Sequence, residues 1–510
     1  MMEKRTYCAD LGDGTYRNPI LHGDYPDPAV LKDGEDYYLV NCYQPMVWHS
    51  MDLLHWEPLY ELPYSVGGAA DICKYGDTYY IYNIDPFRRD EADYKASSVM
   101  VLTTQDIKSG HWDGPFYVGP AFNILGGHEL IDPGHVVDFE GRRWLYMSEN
   151  VCFPLTQDGL HFAGPGKRVL ADEVFPDDWE IQGVYTEGPR FTLKDGWIYL
   201  TIAAGGTMGP PTSHGVFSYR SKHADGPWEP SPYNPIIRTH SRHERWISKG
   251  HGTLVEAPDG SWYMMYHAFL NNRFNQGRMM LMEPVEWTED GWYRIPEWSG
   301  ADKVLPAPKG GKAVPHGYPT HIQFPSEDLP CQWYYTGHVK ERIREVEDGI
   351  VMQGSGTSLH DSDGVMAYNA LYENFEVITR VTVGNGAGCG ISMYYSPSHA
   401  VGFALKDGFT WVFNCNHANL QRHFSGVEYL WDQAYLKLTV RHQVVSLWIS
   451  ADGEQWTKLP PSFNIAHLSH MAYIPRGEIR GMGMYPALFT YGTGEATFHE
   501  FTIRELKLED

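Results

Sequence analysis

Three carboxylates and a histidine recur at one position of a repeating pattern. Asp27 stands in "YPDPAV", seven residues before Gly34, and Asp132 in "LIDPGHVV", nine before Gly141. Glu187 lies in "YTEGPRF", nine before Gly196, and His251 in "KGHGTLV", nine before Gly260. Acids gathered in one pocket do not titrate alike, because each negative charge raises the pKa of its neighbours. One then stays protonated while another is ionised near neutral pH. Hydrolysis of a glycosidic bond needs that pairing, an acid for the leaving oxygen and a base for the water. Taken singly, "DP" and "EGP" are ordinary turn signals; the shared phase points to a site. Asp27 is further confined by Pro26 and Pro28, which restrict the backbone on both sides. Asp24, in the same "GDYPDP" segment, competes for the role of base. It lacks the flanking prolines and reads as a local hydrogen-bonding or turn residue.

The glycines belong to five similar units, "KDGEDYYLV", "YGDTYYIYN", "EGRRWLYMS", "KDGWIYLTI" and "PDGSWYMMYH". Gly34, Gly76, Gly141, Gly196 and Gly260 are spaced 42, 65, 55 and 64 residues apart. Each unit reads as a tight turn entering a strand rich in aromatic and β-branched residues. Outer strands with a Gly turn and a tryptophan follow, as in "WHSMDLLHWEPL" and "PVEWTEDGWYRI". Five small sheets that must bury their faces on one another predict a five-bladed β-propeller over about residues 15–300. An ordinary pair of β-sandwiches with frequent DG turns is the alternative. In a propeller the strand before each hairpin turn is innermost, so the four polar residues would share one axial pocket. A Pro/Gly-rich stretch, 301–324, reads as a linker or covering segment. Short alternating strands over 325–510 predict a β-sandwich of concanavalin or jelly-roll type. The expected domains are therefore 1–300, a linker 301–324, and 325–510.

Composition narrows the function. The 510-residue chain carries a formal charge of -24, which argues against a nucleic-acid partner. No apolar run is long enough to span a membrane, and no secretory signal is visible, so a cytoplasmic protein is expected. Seven cysteines without C-x-x-C spacing look like reduced thiols and not a disulfide framework. The 34 Tyr and 17 Trp fit half-buried strands, and they also fit stacking on sugar rings. That content alone would serve a non-catalytic carbohydrate-binding protein equally well. Three in-phase acids favour an enzyme, because recognition of a neutral sugar does not call for so many desolvated charges. "HSRH", His240 to His243, lacks a third patterned ligand and reads as a polar loop, not a metal pair.

Several stretches together resemble glycoside hydrolase family 43: the opening "NPILHGDYPDPAVLKDGEDYYLV", "IDPGHVVDFEGRRWLYMS", "YTEGPRF", "AAGGTMGPPTSHGVFSYRS", "KGHGTLVEAPDGSWYMMYH" and "FNQGRMMLMEPVEWTEDGW". The match spans the first domain in the family's order, and "YGTGEATFHEFTIREL" resembles the sandwich appended to its β-xylosidase-like members. The resemblance implies an inverting hydrolase with Asp27 as general base, Glu187 as general acid and Asp132 as the group that orients Glu187 and keeps it protonated. It places Arg278, His214, His251 and Arg190 at the substrate. It also implies that a cation, often calcium, or a water faces His251 beneath the sugar; no cofactor is required for the chemistry. Calcium rests on the resemblance alone, since no dense Asp/Asn loop offers it oxygen ligands. Two positions depart from the family's pattern. Gly68, in "GAADI", stands where an aromatic-containing stretch is common, so one aromatic wall is missing or supplied from elsewhere. Arg190 stands where His or Lys is commoner. The expected substrate is a short oligosaccharide losing terminal β-D-xylose, with α-L-arabinofuranosidase or dual activity as the alternative. The sandwich is expected to be architectural, narrowing the pocket rim, and the oligomeric state stays open.

Overall fold

The computed structural model describes residues 5–63, 67–85, 98–121, 130–326, 333–336, 339–469 and 481–507. Cys331 lies outside them. The first domain is five antiparallel sheets arranged as propeller blades, each with its innermost strand first in sequence. Those inner strands are Ala29–Asp33, Gly67–Tyr75, Gly134–Val137, Thr186–Lys194 and Trp246–Glu256. Each turns back through its repeat glycine, and all five glycines have φ between +59° and +81°. A side chain would strain such a turn, which is why the glycine recurs.

Adjacent blades hold together face to face. Val40 and Val47 of the first blade pack on Ile72 and Ile81 of the second, and comparable apolar cores lie between the second and third, third and fourth, and fourth and fifth. The ring closes differently. The core between the fifth and first blades, with Trp48 and Met282, runs on without a break into the second domain. Segment 18–25 lies along Arg278–Trp287 of the fifth blade, with Ile20 donating to the Met280 carbonyl at 2.7 Å and Tyr25 to that of Arg278 at 2.8 Å. That path delivers Asp27 to the side of Arg278.

The second domain is a sandwich of an eight-stranded and a seven-stranded antiparallel sheet. Residues 301–324 are paired at both ends: Val304–Pro306 with Thr15–Arg17 of the first domain, and His321–Gln323 with the last strand, Glu495–Glu505. The domains also share buried hydrogen bonds. The Tyr25 hydroxyl donates to the Asn369 carbonyl at 2.8 Å, and Met484 donates to that of Asn275 at 2.7 Å. Among the described residues no helix is long and apolar enough to cross a membrane.

Candidate active site

Each blade bends its chain where the inner strand leaves the axis. One residue there has a left-handed φ: Asp27 (+53°), Gly68 (+67°), Asp132 (+58°), Gly188 (+62°) and His251 (+57°). The five stand seven to nine residues before the repeat glycines, so the in-phase signal corresponds to a repeated backbone device. A residue before proline is ordinarily extended, yet Asp27 and Asp132 both precede proline and both take positive φ. Aspartate tolerates this region better than most residues. The cost, about 1–3 kcal/mol each, is borne where contacts fix the side chain.

Those contacts are densest at Asp27, which is 5% exposed. Its Oδ1 lies 3.0 Å from Nη1 of Arg278, 3.1 Å from Nδ1 of His251 and 2.8 Å from Nδ1 of His267. Arg278 and His251 hold that oxygen, while His267 Nδ1 accepts the Asp27 amide N–H at 3.1 Å, which leaves Oδ2 as the atom to face a water. Burial pushes the Asp27 pKa up, but Arg278 and the two histidines outweigh it and hold the carboxyl well below its usual range. Burial lowers the His267 pKa to about 3, so its ring is neutral. Cys42 lies against Asp27, and burial together with that charge keeps its thiol protonated. A cysteine nucleophile is thereby disfavoured.

Glu187 answers from the fourth blade. Its Oε1 is 3.2 Å from Nε2 of fully buried His214. The His214 ring lies 5.2 Å from that of His267, which lies 6.0 Å from that of His251. Three imidazoles therefore link the Glu187 side of the axis to Asp27. Two glycines make room for them: a Cβ at Gly250 would run into the His214 ring, and one at Gly188 into that of His251.

Asp132, 4% exposed, accepts from the Ala69 amide at 3.2 Å. Burial, with the charges of Glu187 and Asp27 added, pushes its pKa up to about 7 against the opposing pull of His251. Glu187 goes the other way. Burial raises it, but His214 and His251 bring it below its ordinary value. The two carboxyls titrate as a pair that shares a proton, with His214 beside Glu187.

Arg190 requires a correction. Expected at the substrate, it donates instead to the backbone carbonyls of Pro133 (3.1 Å), Pro189 (2.9 Å) and Ala70 (2.9 Å), tying three blades together behind the acids. Inner-strand carbonyls near the axis need donors, and the planar guanidinium supplies them. His267 was missed by reading only upstream of the glycines. It is the one histidine in the buried run "WYMMYHAFL", and its pairing with Gly250 brings it beside His251. Asp24 is more than a local turn residue. Its Oδ1 accepts from the Arg278 amide at 2.8 Å and its Oδ2 from the Met482 amide at 2.5 Å, which joins the sandwich to the strand that begins at Arg278. Gly68 faces Asp132: a Cβ there would lie 3.8 Å from its Oδ1. Tyr43, 38% exposed, has a hydroxyl within reach of the charges of Arg278, Asp27 and Asp132, so an aromatic ring from the first blade stands near this gap. His240 and His243 lie on an exposed loop, and Arg238 donates to His240 at 3.0 Å.

Among the described residues the group able to converge on an ion is Asp27, His251 and His267. It offers one oxygen and two nitrogens, with a guanidinium on the same oxygen. That set does not fit calcium, which takes six to eight oxygens. The buried Nε2 of His251 has no protein partner, and it fits a water.

Two family models match the chain: glycosyl hydrolases family 43 over residues 16–293, and the beta xylosidase C-terminal Concanavalin A-like domain over 321–504. A non-reducing end α-L-arabinofuranosidase of Bacteroides ovatus is 28% identical over 380 residues, covering 69% of this chain and 68% of its own. A β-xylosidase of Formosa agariphila is 25% identical over 540 residues, covering 90% of this chain and 86% of its own. The crystal structure of a family 43 protein from Bacillus licheniformis superposes with a TM-score of 0.83 at 24% identity, over 96% of this chain and all of that one.

Proposed function

The chain belongs to glycosyl hydrolase family 43, and from that premise we propose that it is an exo-acting, inverting enzyme releasing terminal β-D-xylose from xylo-oligosaccharides. One observation carries the mechanism: an ionised, triply anchored Asp27 shares a buried axis with a second carboxylate, Glu187, backed by a histidine. Asp27 takes a proton from water as the water oxygen attacks the anomeric carbon. The bond to the leaving sugar breaks, and Glu187 gives its proton to the departing oxygen. Inversion needs the two carboxyls roughly 6.5–9.5 Å apart, so that the water fits between base and sugar. At that step Glu187 carries the proton that the pair shares. A sugar ring in the channel would strip the remaining water from Glu187, whose side chain is 15% exposed, and raise its affinity for the proton. Arg278 holds Asp27 ionised and, with Tyr43 in place of the aromatic absent at Gly68, lines the sugar's position.

Xylose ranks first because the second domain matches the model named for β-xylosidases and a β-xylosidase aligns over most of the chain. The shared core between the domains favours a closed pocket and attack on chain ends. Six described cysteines are free, four of them buried, which fits a reducing cytoplasm and short imported chains. The second reading is α-L-arabinofuranosidase, favoured by the Bacteroides ovatus relative and by the space at Gly68. Kinetics on xylobiose and on arabinofuranosyl-substituted xylo-oligosaccharides decide between them. The proposal expects xylobiose to have the higher kcat/KM. A preference for the arabinofuranoside above about 10-fold, about 1.4 kcal/mol of differential transition-state binding, would reverse it.

A further inference from the structure

We propose that the outer face of the seven-stranded sheet carries a second glycan site, one that binds and does not cleave. The inference rests on the reading above that the protein acts on sugars. Cross-strand partners share a face of a sheet, and the register divides this sheet cleanly. Tyr491 pairs with Gly388, Phe489 with Gly390, Gly390 with Ala404, Ala404 with Trp411, and Phe413 with Arg422. On the opposite face Ile391, Phe403, Val412 and Leu488 are all buried. His423, next to Arg422 and across from Val412, sets its ring 6.2 Å from that of Phe463 in the other sheet. Arg422, Trp411 and Tyr491 therefore point away from the sandwich core.

On that outer face lies a cavity of about 160 Å³. Its floor is aromatic because the strand beneath it has no side chains there: a Cβ at Gly388 would run into the Tyr491 ring, and one at Gly390 into Phe489 and the Phe403 carbonyl. With bare backbone below, Phe489 and Tyr491 lie nearly parallel, 6.3 Å apart at 16°, and Phe413 meets Phe489 edge-on at 5.7 Å. Half-buried Trp411 forms a wall. The rim is charged. Lys406 holds its Nζ 5.1 Å from the centre of the Tyr491 ring, and Arg422 and Asp407 are both close enough to act on the Tyr491 hydroxyl.

Half-buried Trp411, standing over buried Phe413, Phe489 and Tyr491 with donors and acceptors at the edge, offers a stacking face to a pyranose or furanose ring. The ring's C–H face stacks, while its hydroxyls reach a guanidinium and a carboxylate. A cavity of about 150 Å³ accommodates a six-membered ring such as benzene, so one sugar unit fills this one, with the open rim taking its hydroxyls and the continuing chain. Asp407 is the one carboxylate in the lining, and a single acid provides no acid–base pair. With two cations and one anion around an apolar floor, a neutral sugar in oligosaccharide form is the ligand. The sandwich is then more than architectural: it holds a substrate chain, or one just shortened, beside the propeller.

The test uses the full chain with Glu187→Gln, so that the probe is not consumed, labelled with 5-fluorotryptophan. The Trp411 resonance is assigned by its loss on Trp411→Phe. Titration with xylohexaose should shift that resonance along a saturating curve with a dissociation constant of about 1 mM, as expected for one ring. Arg422→Ala should weaken it at least 10-fold. No movement of the resonance with xylohexaose or arabinohexaose would overturn the proposal. So would movement with glucuronate or indole but not with a neutral sugar. Turnover of aryl β-xyloside and aryl α-L-arabinofuranoside is measured on the unsubstituted protein. Turnover without a Trp411 shift removes the second site alone, and a shift without turnover removes the proposed hydrolysis alone.

Discussion

The propeller axis and the outer face of the sandwich are both lined by rings laid against glycines, yet they differ in where they keep charge. On the axis, Gly250 and Gly188 admit imidazoles, and every charged partner of Asp27 is almost fully buried. On the sandwich, Gly388 and Gly390 admit Tyr491 and Phe489, and the charges of Asp407 and Arg422 stay in solvent at the rim. The first arrangement sets proton affinities, because buried charges act on one another without screening. The second needs only shape and hydrogen bonds. Asp27, Asp132 and His251 all stand at left-handed φ; on the sandwich Asp407 does so too, in a hairpin turn at +51°, while no residue from 409 to 416, the strand of Trp411, does.

The largest effect should come from removing the charge while keeping the backbone. Asp27→Asn tolerates a positive φ and leaves Arg278 buried, but it can no longer take a proton. A loss of 10²–10⁴-fold in kcat with little change in KM is expected; activity within 10-fold of wild type would break the contrast between the two regions. Gly250→Ala comes next. Its Cβ displaces His214 from Glu187, and a fall of about 10²-fold in kcat is expected from a shift of this kind. The same crowding at Gly388, by Gly388→Ala, should tilt Tyr491 and be read in the Trp411 titration.

Asp24→Asn tests the joint between the domains. Its new amide would face either the Arg278 or the Met482 N–H, leaving a buried donor unmade at a cost of about 1–3 kcal/mol. A lower melting temperature is expected, with loss of activity following Arg278; an unchanged melting temperature would show that the joint is dispensable.

The smallest effect sharpens the account of the shared proton. Asp132 titrates at about 7 in the folded protein against an ordinary value of 3.8. The folded state then holds a proton that the unfolded chain has released. The resulting stability is complete below about pH 4 and is lost as pH rises through about 7. The melting temperature of Asp132→Asn should therefore fall less than that of the wild type between pH 5 and pH 8. In activity, the neutral amide no longer helps Glu187 keep its proton, so the alkaline limb of kcat/KM should move to lower pH. A limb that stays in place would assign the proton elsewhere.

Much of the axis was legible because its chemistry is repetitive. Five glycines mark the hairpins, and one polar residue per unit at constant phase marks the strand starts. Asp27, Asp132, Glu187 and His251 followed from that. His214 and Arg278 came from resemblance to a family: His214 lies in the loop just before the strand Gly215–Ser221 and Arg278 begins the strand Arg278–Trp287, and neither position carries a phase signal. His267 and the second attachment of Asp24 were not legible, because both depend on pairings between distant segments: Gly250 with His267, and 24 with 482. Arg190 was misread for the same reason. Two of its three carbonyl partners, those of Ala70 and Pro133, lie on other blades, and a sequence does not show which side chain reaches across to them. In the sandwich the alternation of the strands predicted sheets, but it could not tell which face carries a cavity.

The central claim is that Asp27 and Glu187 act from opposite sides of the scissile bond, base and acid across an intervening water. Proton NMR of the anomer first formed from xylobiose tests it most directly. The account predicts α-D-xylose in the earliest spectra, mutarotating later to the equilibrium mixture. First formation of β-D-xylose would mean retention, and with it a nucleophile where this account places a base.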